Sequence, residues 1–126
     1  MVMNIVKWTD SYLPPMLYAL LIFLLSSKNH PSVDLSHGLD KGVHCVLYAG
    51  FGYLVLRAFR KSNRNRPANL LTVIIVILYG ISDEFHQDLV PGRQFDVLDM
   101  VFDGLGGLLA VAFSSVADRY RWPIWF

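Results

Sequence analysis

Apolar residues gather into four runs along this chain, separated by polar or charged stretches. The first runs from about Leu13 to Ser27, the second from Lys41 to Phe59, the third from Ala68 to Gln87 and the fourth from Val97 to Val116. A bilayer span takes about 20 residues, with a range of roughly 17 to 25. The first and third runs reach that length only by including polar ends. The pattern therefore predicts an all-α integral membrane protein. Four short, polar-ended transmembrane helices pack as a bundle that shelters those ends. Pro14-Pro15 is placed at the first turn of its helix, where proline is tolerated, with Trp8 and Tyr12 ahead of it as interface anchors. No small-residue cleavage site follows Ser26-Ser27-Lys28, so this run is read as a retained span and not a signal peptide.

Composition agrees with that picture. The 126 residues form a single domain without internal repeats; 54% are hydrophobic and 17% charged, against about 25% charged in ordinary soluble domains. A net charge of +1 gives no reason to expect a nucleic-acid partner. Cys45 is the single cysteine. It rules out an internal disulfide and a cysteine-rich zinc site, and reads as a small core residue. The partner expected from composition is the lipid bilayer. Four short spans bury little, which is compatible with a homodimer.

Charge sorts by side. The linker from Arg57 to Pro67 holds Arg57, Arg60, Lys61, Arg64 and Arg66 and no acid. With Lys7, Arg119 and Arg121 it gives one side eight basic residues against Asp10 and Asp118. The other side has Lys28, Lys41 and Arg93 against eight acids. The positive-inside rule then places both termini in the cytoplasm. The acidic connections, about 28–40 and 82–96, face outward.

Those acids carry the candidate chemistry. Asp96, Asp99 and Asp103 recur at spacings of three and four, one stripe about 60° wide on a helix. Asp103 lies about 10 Å deeper than Asp96 at the helical rise. A carboxylate at that depth is normally paired, lines a cavity or works. Gly106, Gly107 and Ala110 continue the stripe, and a small-xxx-small pair lets another helix come close. Asp96 doubles as a candidate N-cap. The third run offers Tyr79, Asp83, His86 and Gln87 on one side and Glu84 on the adjoining flank. Val90-Pro-Gly-Arg93 has the proline–glycine order of a type II turn. That turn folds the third run onto the fourth and aims Arg93 at Asp96, Glu84 or an anionic ligand. The second run adds Lys41, His44 and Tyr48, preceded by Asp40, at the same level. In the first run Ser26 and Ser27 reach it too. His30 and His37 fall in a Ser/Asn/Pro-rich loop and read as solvated. Lys41, His44, Glu84, His86, Arg93, Asp99 and Asp103 are expected to converge in one outward-facing pocket, because separated, lipid-facing charges are too costly.

Ser26-Ser27, Asp40-Lys41-x-x-His44-x-x-x-Tyr48, Ser82-Asp-Glu-x-His-Gln87, Pro91-Gly-Arg93 and Asp96-x-x-Asp99-x-x-x-Asp103 together resemble the VanZ-like membrane proteins, over about residues 13 to 115. The resemblance implies a small multi-pass protein of the bacterial cytoplasmic membrane. It also implies a cell-envelope role that extends in one member to teicoplanin resistance; it supplies no reaction, cofactor or substrate. Three functions remain open on the residues. The first is an outward-facing acidic pocket that binds an envelope lipid, a glycopeptide-type amphiphile or a cation. The second is a metal-dependent enzyme on a phosphorylated or lipid-linked envelope substrate. There His44, Glu84 and His86 are candidate acids or bases, and His86, Asp99 and Asp103 are candidate ligands for a divalent cation. H-E-x-x-H and G-x-S-x-G are absent. The third is a purely structural role, in which the polar residues tie the helices together. The ligand-binding set common to the first two is Ser27, Lys41, His44, Tyr48, Asp83, Glu84, His86, Gln87, Arg93, Asp96, Asp99 and Asp103.

Overall fold

Each apolar run becomes a helix that extends past the run itself. The computed structural model describes residues 2–28, 37–62 and 67–120. They form α1 (Val2–Ser26), α2 (His37–Ser62), α3 (Ala68–Asp88) and α4 (Val97–Arg119). All four are long and apolar enough to cross a membrane. At 1.5 Å per residue, helices of 21 to 26 residues reach about 32–39 Å, enough to clear a hydrocarbon core of about 30 Å. His30, Arg64, Arg66 and Arg121 lie outside the described residues. His37 begins α2 and does not belong to the preceding loop.

The start of α1 differs most from the apolar pattern. The helix begins more than two turns before Pro14-Pro15 and carries both prolines in its interior. Proline has no N–H, so Pro14 leaves the Asp10 carbonyl without its helical donor. An Arg57 Nη1–H donates to that carbonyl at 3.1 Å. A side chain 47 positions away therefore satisfies the oxygen that the proline orphans.

Helix α2 is the hub. It touches α1, α3 and α4, whereas α1 and α4 do not meet among the described residues. Helices α2 and α4 run parallel, since Lys41 meets Asp96 and Asp99 near their starts and Arg60 meets Asp118 near their ends. Helices α1 and α3 run the opposite way. The apolar core is small: Ile22, Tyr48, Phe51, Val55 and Val76, with Tyr18, Phe59 and Tyr79 packed around them. Leu17, Leu20 and Leu24 of α1, Leu78 of α3 and Leu109 and Phe113 of α4 point outward and are exposed. So much outward apolar surface is foreign to a soluble bundle and natural for one solvated by lipid. The protein is a multi-pass membrane protein.

Gly106 sets the distance between the parallel pair. A Cβ there would stand 2.4 Å from the Cys45 carbonyl oxygen and 2.7 Å from the Ala49 nitrogen. Both obstacles are backbone of α2, which cannot swing aside. The bare glycine is what lets the α4 backbone settle onto α2, one turn below Asp103.

Candidate acidic site

Close packing of α2 on α4 turns two side-chain ladders face to face. Lys41, His44 and Tyr48 climb one helix at spacings of three and four; Asp96, Asp99 and Asp103 climb the other with the same spacing. Parallel helices keep such rungs in step. Lys41 Nζ donates to both Asp96 Oδ2 and Asp99 Oδ1. His44 Nδ1 lies 2.9 Å from Asp103 Oδ1, and its Nε2 lies 3.5 Å from Asp99 Oδ2. Both helix N-termini are at this end, so their positive dipole ends favour Asp40, Asp96 and Asp99.

Helix α3 closes the cluster from a third side. Glu84 Oε2 accepts from the Asp96 backbone N–H at 3.0 Å. Asp96 also caps α4 by accepting from the Leu98 N–H at 2.8 Å, so it is both a cap and a partner of Lys41. Its hydrogen bond from the Lys41 ammonium holds the Asp96 carboxyl below its ordinary value of 3.8. Asp103 rests against Gly80, where an added Cβ would stand 2.9 Å from Oδ2 and 3.0 Å from the Asp103 Cβ. Glu84 and Asp103 are both fully buried. Each keeps one oxygen, Glu84 Oε1 and Asp103 Oδ2, with no hydrogen-bond partner among the described residues.

A second chain of contacts adjoins the first. Tyr48 Oη donates to Asp83 Oδ2 at 3.1 Å, and Gln87 Nε2 donates to the same oxygen at 2.9 Å. Arg93 Nη2 donates in turn to Gln87 Oε1. The Val90–Arg93 turn has the expected form: Arg93 N–H bonds the Val90 carbonyl at 3.1 Å and Gly92 takes φ 84°, the left-handed value that glycine supplies in a type II turn. The turn thus aims Arg93 at an amide and not, as its charge suggested, at Asp96 or Glu84. No ion pair of Arg93 occurs among the described residues.

His86 departs from the expected convergence. Its ring stacks on Phe23 with centroids 4.4 Å apart, and its Nε2 lies 2.8 Å from Ser27 Oγ. It belongs with Ser27 to a separate contact between α3 and α1. The physical reason is helical phase: α1 lies against the α3 flank that carries Tyr79 and His86, where Tyr79 Oη also donates to the Ala19 carbonyl at 2.6 Å. Of the candidate metal ligands His86, Asp99 and Asp103, only the two aspartates fall in groups of closely spaced donors among the described residues. The donors that come together are His44, Glu84 and Asp103, with ligand atoms all within 4.8 Å of one another. Asp40, His44 and Asp99 form a second such group. Two features escaped the reading of the chain: Gly80 as the seat of Asp103, and Arg57 as the plug beneath Pro14. A small residue one turn before Glu84 was the only sequence signal for the first.

Four membrane-spanning helices, three of them closing on a buried acid–histidine–lysine cluster, define an all-α membrane protein of polar-centred type. The VanZ/LLP1 family model matches residues 3–118. The chain belongs to the VanZ/LLP1 family. No curated protein and no solved structure matches it.

Proposed function

We propose that this protein is a cell-envelope component of the bacterial cytoplasmic membrane whose outward-facing acidic cluster binds a positively charged group. That group is the head of an envelope lipid or of a glycopeptide-type amphiphile, or a free cation. Such binding would contribute to glycopeptide resistance. The observation that carries the reading is the pair of buried oxygens, Glu84 Oε1 and Asp103 Oδ2, that nothing among the described residues satisfies. Leaving a buried acceptor unpaired costs about 1–3 kcal/mol, more for a charged group. A merely structural network would satisfy them or replace them with apolar side chains at lower cost. Five carboxylates, Asp40, Glu84, Asp96, Asp99 and Asp103, gather about one lysine and one histidine here, an oxygen-rich lining suited to a positively charged group. Arg93, held by an amide, offers an anionic group of the same amphiphile a partner nearby.

Orientation follows from the basic residues near Arg57, Arg60 and Lys61, which favour the cytoplasm and leave the acidic end outward. Reporters fused after Phe126 and inserted between α1 and α2 should report opposite sides; the same side for both would contradict this topology. The binding reading is tested by expressing the protein in a teicoplanin-susceptible bacterium and by titrating the purified protein with teicoplanin. Tolerance and saturable binding are expected, both lost in Asp99→Asn. Undiminished binding by that variant would remove the cluster from the reading.

A further inference from the structure

We propose that His44, Glu84 and Asp103 form a binding site for one divalent first-row transition-metal ion, of the zinc or manganese type. The inference rests on the reading that the cluster takes a positively charged ligand, and it names that ligand. One nitrogen and two carboxylate oxygens, from three different helices, lie within 4.8 Å of one another and all three residues are buried. Imidazole with carboxylate is a donor set for zinc, manganese or iron; magnesium and calcium prefer oxygen alone. Ligands about 2.0–2.2 Å from a shared zinc stand roughly 3–3.5 Å apart. The 2.9 Å between His44 Nδ1 and Asp103 Oδ1 is already close to that spacing.

The unpartnered oxygens and the outer shell point the same way. Glu84 Oε1 and Asp103 Oδ2 are buried oxygens without a hydrogen-bond partner among the described residues, and a cation would satisfy both. Metal-bound histidine typically turns its other nitrogen to a carboxylate that fixes its tautomer. Here His44 Nε2 faces Asp99 Oδ2 at 3.5 Å, and Asp99 is itself held by Lys41. Lys41 and Asp99 thereby act as positioning residues. The alternative group, Asp40–His44–Asp99, is weaker because Asp99 already serves Lys41 and Asp40 is half-buried. Three protein ligands leave a coordination position open, which is how sites that bind or transform a substrate at the metal are built.

The test is a cobalt(II) titration of the full chain in detergent, after chelator treatment, followed by visible absorption and by competition with zinc. About one equivalent should bind. Glu84→Gln and His44→Gln should weaken binding by about 100-fold or more and Asp99→Asn by about 10- to 100-fold, while Asp10→Asn at the opposite end should leave it unchanged. X-ray absorption of the zinc-loaded wild-type protein needs no variant to fold; it should show one imidazole, oxygen neighbours and no sulfur. No saturable cobalt binding, binding that survives His44→Gln, or a zinc spectrum without imidazole would overturn the site. Teicoplanin binding that persists in chelator-treated protein while cobalt fails to bind would overturn the metal and leave the amphiphile reading standing. Stoichiometric cobalt without amphiphile binding would support the metal and reject the amphiphile.

Discussion

Lys41 and Lys61 sit near opposite ends of the same helix, and each meets aspartate from a neighbouring helix. Their surroundings differ. The Lys41 side chain is 11% exposed and its partner Asp99 is 7% exposed; Lys61 is 39% and Asp10 52% exposed. The end where α2 and α4 finish carries a rim of ion pairs: Lys61 and Arg57 with Asp10, and Arg60 with Asp118. The end where α2 and α4 begin sinks Lys41, His44, Asp99 and Asp103 between helices. Exposed pairs cost little to make and contribute little. Buried ones carry a desolvation cost that attraction only partly offsets. A membrane protein has no need to accept that cost for packing, since apolar side chains would pack as well. The contrast is between charges left at the surface, where they stabilise little, and charges sunk between helices, where they are costly to hold.

The contrast can be broken at the lysines. Lys41→Met strands the buried Asp99 carboxylate, and removing one partner of such a pair costs about 3–5 kcal/mol. The variant should melt far earlier in detergent. Lys61→Met should leave the melting temperature unresolved from wild type, the usual result for an exposed pair. Equal effects at the two ends would erase the distinction.

Glycine substitutions sharpen it next. Gly106→Ala drives a Cβ into the α2 backbone, and overpacking of this kind costs about 1–3 kcal/mol. Because Gly106 sets the helix spacing on which the rungs depend, ligand binding should fall as well. Gly104→Ala meets only Ile77 Cγ1 at 3.6 Å. It should be neutral or gain up to about 1 kcal/mol from helix propensity. Thermal melts of both variants beside wild type decide this.

The smallest effect concerns acid. The folded-state carboxyl of Asp96 lies below its ordinary value of 3.8. Its contribution is therefore complete above pH 3.8 and is lost as pH falls below that through the folded value. Asn caps helices as well as Asp, so Asp96→Asn removes the charge and keeps the cap. Its stability should change less with pH over that acid range than that of wild type. Identical acid profiles would mean that the Lys41–Asp96 contact contributes no net stability.

Much of this architecture could be read from the chain, for identifiable reasons. Four apolar runs, the type II turn at Pro91-Gly92 and the matching three-and-four spacings of Lys41–His44–Tyr48 and Asp96–Asp99–Asp103 depend on local periodicity alone. What could not be read depends on which helix lies against which. Period places His86 on a face of α3 but does not say that α1 covers that face, so His86 went to Ser27 and Phe23 and not to the acids. The early start of α1 was hidden because Pro14-Pro15 marks a helix start unless something satisfies the orphaned carbonyl, and Arg57 does so from another helix. Arg93 likewise met an amide that only the folded turn brings within reach.

If the buried acids are held for a ligand and not for packing, loss of one charge should cost binding before stability. This expectation is tested most directly by Asp103→Asn, with melting temperature and teicoplanin binding measured on the same purified sample. The amide keeps the shape and an acceptor for His44 but removes the charge. The expected result is a protein that melts near the wild-type temperature, because the amide keeps the His44 contact, and no longer binds. A variant that melts several degrees lower while binding as well as wild type would show that Asp103 serves stability, and would contradict that expectation.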